Sequence, residues 1–183
     1  MQEPIPGAGP GAPTDSFGTL GQWLFAATKA TAIFGGLVFV LIVLMSIVSI
    51  VGRKLWALPV PGDVEMLQMG AAFASASFFA YCHLNGGDVK VDFFTAKASA
   101  ATVHRLDALG SLLVCVFGTL ITWRATVCAL SIREAGETSL ILGWPVWIAQ
   151  ILMVPGFLLL ALSGFYMVGV HLRQSTATGG AQA

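Results

Sequence analysis

The side chains able to do chemistry in this sequence are few and scattered. His83, His104 and His171 are its three histidines, and Cys82, Cys115 and Cys128 its three cysteines. Haem iron takes axial histidines. If the helices of this chain alternate in direction, His83 and His171 fall on one side. A haem pair between them, as in a membrane anchor subunit of a redox enzyme, is therefore the alternative reading. Against it, both residues stand at helix ends, whereas ligand histidines face each other inside a bundle. The cysteines are isolated, with no Cys-x-x-Cys pair, and read as small apolar fillers. No nucleophile motif and no phosphate-binding glycine loop is present. No catalytic residue, cofactor or metal is expected, and the chain is not expected to be an enzyme.

Charge is just as sparse. Nine Lys+Arg and nine Asp+Glu cancel, and charged residues make up 10% of 183, against roughly 25% in ordinary soluble domains. That is too little to cover a water-facing surface, and there is no basic excess to neutralise phosphates. A soluble domain, a disordered chain and a nucleic-acid binder are excluded. What suits such a composition is membrane lipid. A bilayer core requires about 20 mostly apolar residues in a helix. Four stretches meet this, at about residues 30–52, 65–84, 106–131 and 144–170. Continuous apolar runs of this length are helices rather than barrel strands, which are shorter and alternate. The expected fold is an all-α integral membrane protein with four transmembrane helices over residues 25–172. Residues 1–24, rich in proline and glycine, are expected to be a disordered or interfacial tail, with Asp15 or Ser16 capping a helix that leads into the first span. Residues 173–183 are expected to be a second disordered tail.

The ends of these runs carry the residues most suited to meeting a partner. Arg53 closes the first run, and Pro61-Gly62-Asp63-Val64-Glu65 opens the second. Asp63 suits a helix cap, and Glu65 a first turn where negative charge meets the helix dipole. Glu65 is otherwise a partner contact or an ion pair with Arg53. Ala72, Ala76 and Ala80 form a small-residue stripe on which another helix can approach closely, either within this unit or from another protein. After Gly86-Gly87, which suit a helix stop, Asp92 suits the cap of a helix from Phe93 to about Arg105 lying along the interface. Arg124 lies about 27 Å along the third helix from Leu106. There it snorkels to the far boundary or pairs with a buried partner charge. Glu137 belongs to the last connection, before Trp144-Pro145-Val146-Trp147. Pro155, inside the fourth run, is expected to bend it. No carboxylate lies in mid-membrane, so a proton or sodium path through this chain alone lacks a site.

Taken in order, these pieces resemble the small membrane subunit of tripartite ATP-independent periplasmic (TRAP) transporters, the DctQ-like family. The resemblance rests on Arg53, on Pro61-Gly62-Asp63-Val64-Glu65, on Gly87-Asp88-Val89-Lys90-Val91-Asp92, and on Glu137-Thr138 through Leu140 to Pro145-Val146-Trp147. It covers about residues 25–172. Asp88 departs from the family pattern, which has a histidine after the glycine. The resemblance implies a large membrane permease subunit that carries the substrate and sodium sites, and a periplasmic solute-binding protein that delivers a solute, often a carboxylate. The small subunit would then brace the large one in the bacterial inner membrane. Both termini would be cytoplasmic, an arrangement the basic residues favour by five to four: Lys29, Lys90, Lys97, Arg105 and Arg173 against Arg53, Lys54, Arg124 and Arg133.

Overall fold

The computed structural model describes residues 19–56, 60–88 and 100–180. They form four helices: α1 Thr19–Trp56, α2 Asp63–Leu84, α3 Ala100–Ala135 and α4 Val146–Gly180. Three of them, α1, α3 and α4, are long and apolar enough to cross a membrane. The sequence suggests four spans, so α2 is the exception. Its 22 residues include Gln68, Ser75, Ser77 and His83 among many alanines, which lowers its apolarity.

The packing order gives the physical reason for that composition. α1 packs on α2, α2 on α4 and α4 on α3, with only slight contact between α1 and α4. The helices therefore form an open row in the order α1, α2, α4, α3. α2 is flanked on both sides and needs small residues for close approach more than it needs apolar bulk. Ala74, Ala76, Ser77 and Ala80 are all buried. A methyl added at Gly156 of α4 would lie 2.6 Å from the Ala76 carbonyl oxygen, and one added at Gly35 of α1 would lie 2.6 Å from Ser77 Cβ. On the other side of α4, a methyl at Gly164 would meet the Cys115 backbone nitrogen at 2.8 Å. Backbones thus nearly touch along all three seams, as association without a hydrophobic driving force requires.

The outer helix α1 shows the other half of the pattern. Its buried residues include Gly21, Thr28, Gly35, Ile42 and Ser49, spaced seven apart. A seven-residue repeat keeps one narrow seam facing a neighbour in a left-handed crossing. The outward face of α1, including Ile33, Leu37, Leu41, Leu44 and Val48, is exposed.

The helices run beyond the expected spans. α1 begins at Thr19, so residues 19–24 of the expected tail are helical, while Asp15 and Ser16 lie outside the described residues. α4 runs to Gly180 rather than stopping near 170, and passes through Pro155. No separate interfacial helix is present among the described residues. Residues 100–105 form the first turns of α3, continuous with the span, and Phe93 and Asp92 lie outside the described residues. α1 is 38 residues long, about 57 Å at 1.5 Å per residue, so it extends well beyond a roughly 30 Å hydrocarbon core.

Candidate functional site

At the end of the row where α1 finishes and α2 begins, two carboxylates lock the connections together. Gly62 precedes α2 with φ of 73°, a left-handed conformation that glycine adopts without steric cost. The bare Cα also admits Leu142 from the α3–α4 connection, because a Cβ there would lie 2.5 Å from Leu142 Cγ. Asp63 is the first residue of α2 rather than its cap; the capping position belongs to Gly62, which offers no side chain. The Asp63 carboxylate faces back to α1. It accepts from the Ser49 hydroxyl at 2.5 Å and from Arg53 Nη2 at 3.0 Å, while Oδ1 accepts the Val64 N–H at 2.8 Å. Ser49 is fully buried and also receives the Val60 N–H at 3.3 Å. The Ser49 hydroxyl holds the Asp63 carboxyl below the usual carboxylate range, opposed by partial desolvation and helped by Val64 and Arg53.

Glu65, in the first turn of α2, does a different job. It accepts the Ser139 hydroxyl, the Ile141 N–H at 3.0 Å and the Leu142 N–H at 3.3 Å. Arg53 therefore pairs with Asp63, and Glu65 instead ties α2 to the α3–α4 connection. The Ser139 hydroxyl, ahead of the three backbone N–H groups of residues 140–142, lowers its pKa against partial desolvation. The connection itself is a tight loop. Thr138 bridges Pro145, the Ser139 N–H donates to Trp144 O at 2.8 Å, and the Gly143 N–H donates to Ser139 O at 3.1 Å. Arg133 lies over the Trp147 ring, 5.2 Å from its centroid, a cation–π arrangement. The clamp fixes the loop so that its tip projects outward: Leu140 is 97% exposed and Ile141 63%. Glu137 is exposed beside it.

Further along α3, Arg124 lines an open groove of about 470 Å³ with Leu120, Ile121, Cys128, Gln150, Met153 and Phe157. Its side chain is exposed, on the surface of the α3–α4 pair and not inside the row. At the opposite end, α2 stops at Asn85 and Gly86 (φ 65°), with the Gly87 N–H donating to Cys82 O at 3.0 Å. This is the left-handed glycine stop expected of the sequence. His83 is buried there, and its Nδ1 lies 2.5 Å from Asp88 Oδ2. His171 of α4 stacks on His104 of α3, with ring centroids 6.5 Å apart.

Residues 40–174 match the family described as tripartite ATP-independent periplasmic transporters, DctQ component. The chain belongs to this family. The match covers the second part of α1 from residue 40, all of α2 and α3, and α4 to Gln174, so it includes both carboxylate locks. DctQ chains are small membrane subunits of TRAP transporters, components of transport and not enzymes. No curated protein and no solved structure matches the chain.

Within this DctQ chain the structure sorts the expected contact residues. Arg53 and Glu65 are both in the loop-end clamp, each with its own partner. Ala76 and Ala80 are buried inside the row and Ala72 is half-buried, so the stripe packs within the unit. Arg124 and Glu137 are exposed, and Asp92 lies outside the described residues. The sequence reading missed Ser49, Ser139 and Leu142, which complete the clamp. Ser49 had one signal: it is one of two serines, with Ser46, in an otherwise apolar run, and stands one helical turn before Arg53. The haem-anchor alternative gains no support, since His83 is engaged by Asp88, His171 stacks on His104, and the family is one of transporters.

Proposed function

We propose that this chain braces the large permease subunit of a TRAP transporter in the bacterial inner membrane. It serves sodium-driven uptake of a solute, of the carboxylate class, that a periplasmic solute-binding protein delivers. The observation that carries this reading is the open helix row. α1 buries one narrow seam and leaves a broad apolar face that is too large for an isolated chain to leave without lipid or protein against it. In the same row no carboxylate lies in mid-membrane, where an ion crossing the bilayer could rest. A wall with an unpartnered flank suits a scaffold better than a carrier.

In this arrangement α2 also crosses the membrane. Its charge-free part, Met66 to Leu84, is 19 residues, about 28 Å, and small polar residues are tolerated there because α1 and α4 cover them. The loop end faces the periplasm and both termini the cytoplasm. Leu140, Ile141 and Glu137 then project on the side from which the binding protein arrives, and Arg124 meets a carboxylate or lipid headgroup beside the large subunit. Asp92 and the remaining surface of α1 complete the contact.

Co-purification tests the pairing. A tagged chain, extracted in mild detergent from cells that also produce the large permease subunit, should bring that subunit down in one-to-one ratio. Recovery of the tagged chain alone contradicts the proposal. For orientation, Ala57→Cys in a cysteine-free background should react with a membrane-impermeant thiol reagent from the periplasmic side; reaction only from the cytoplasm inverts the assignment.

A further inference from the structure

The end of the row opposite the clamp holds a group of side chains that neither the family match nor the scaffold reading uses. His104 and Asp107 are three residues apart on α3, hence on one face. α4 runs antiparallel to α3, which brings His171 opposite them. One ligand atom from each of His104, Asp107 and His171 lies within 4.8 Å of the other two. The imidazole rings are stacked at 28° to one another. His104 Nδ1 is buried and has no hydrogen-bond partner among the described residues, and a buried polar atom in that state costs free energy.

We propose that His104, Asp107 and His171 bind a divalent transition-metal cation of the zinc class and so fasten the start of α3 to the end of α4. Two imidazole nitrogens and one carboxylate oxygen are a recurrent donor set for such ions, with water completing a tetrahedron. Ligand atoms on a tetrahedral shell of about 2.1 Å radius lie about 3.4 Å apart. Side-chain rotation of roughly an ångström therefore closes the observed spacing. The donor set excludes calcium and magnesium, which take oxygen ligands. Asp107 supplies the negative charge that offsets Arg105 and Arg173 nearby in the chain. The group precedes the charge-free part of α3, so a cation reaches it from water and not through lipid. Glu65 ties the row at one end by hydrogen bonds; the metal ties α3 to α4 at the other by coordination. The assignment is independent of the transport reading.

The test uses the full chain in detergent, stripped with a chelator and titrated calorimetrically with zinc chloride. One zinc ion per chain is expected, with affinity lowered at least about tenfold in His104→Ala, in Asp107→Asn and in His171→Ala. His83→Gln and replacement of all three cysteines should leave the affinity unchanged. Absence of saturable binding, or full binding in the His104→Ala/His171→Ala double variant, overturns the proposal. Where a variant does not fold, X-ray absorption of the zinc-loaded wild-type chain decides. Two imidazoles in a nitrogen and oxygen shell at about 2.0–2.1 Å support the site, and a sulfur shell at about 2.3 Å refutes it.

Discussion

Two carboxylates two residues apart, Asp63 and Glu65, divide the work of holding the loop end. Asp63 looks back to α1 through Ser49 and Arg53, and Glu65 reaches across to Ser139, Ile141 and Leu142. Removing the Glu65 charge weakens three acceptor interactions at once, because hydrogen bonds to an ionised acceptor are the stronger kind. Glu65→Gln should therefore speed hydrogen exchange at the Ile141 and Leu142 amides by about tenfold or more, with α1 exchange unchanged; equal exchange in both proteins contradicts the clamp. The pH dependence has a definite sign. Both carboxyls have lowered pKa values in the folded chain, so their contribution is complete above the unfolded carboxylate pKa of about 4 and is lost as pH falls through the lower folded values. Thermal stability should be level between about pH 7 and 5 and fall below about pH 4. Asp63→Asn with Glu65→Gln should flatten that acid limb, and an unchanged limb in the double variant refutes it.

Helix–helix seams are set by residues too small to keep the backbones apart. Gly156 faces Ala76 so closely that any larger side chain must push α4 from α2. Gly156→Leu should destabilise the chain by about 1–3 kcal/mol, the usual cost of overpacking, read as a lower Tm in detergent. Leu41→Ala, on the exposed face of α1, should leave Tm within a degree or so of wild type, since surface substitutions change stability little. If the two variants melt alike, the seam assignment fails. The same contrast explains what the sequence discloses at this scale. The long runs of α1, α3 and α4 are legible because lipid selects apolar length. The Ala72, Ala76, Ala80 stripe is legible as a packing face, but its partner Gly156 is not, since nothing local links the two. Glu65 and Ser139 are likewise 74 positions apart. Neither the clamp nor the His104, Asp107, His171 group can be read until the helices are placed side by side. The stop at Gly86–Gly87 is legible because turn geometry depends on a few adjacent residues.

The molecule as a whole is a wall of helices with α2 and α4 at its centre and α1 and α3 at its edges. Such a row leaves two apolar faces and two flanks, whereas a closed bundle would hide its interior. That shape, the DctQ family membership and the lack of a mid-membrane carboxylate support the proposed role of a subunit that leans on a larger one. The central claim is that transport requires the partner, and proteoliposome uptake measures it most directly. Vesicles containing this chain alone, given a sodium gradient, binding protein and solute, should show no uptake above empty vesicles. Adding the large permease subunit should restore it. Sodium-driven uptake by vesicles containing only this polypeptide would contradict the account.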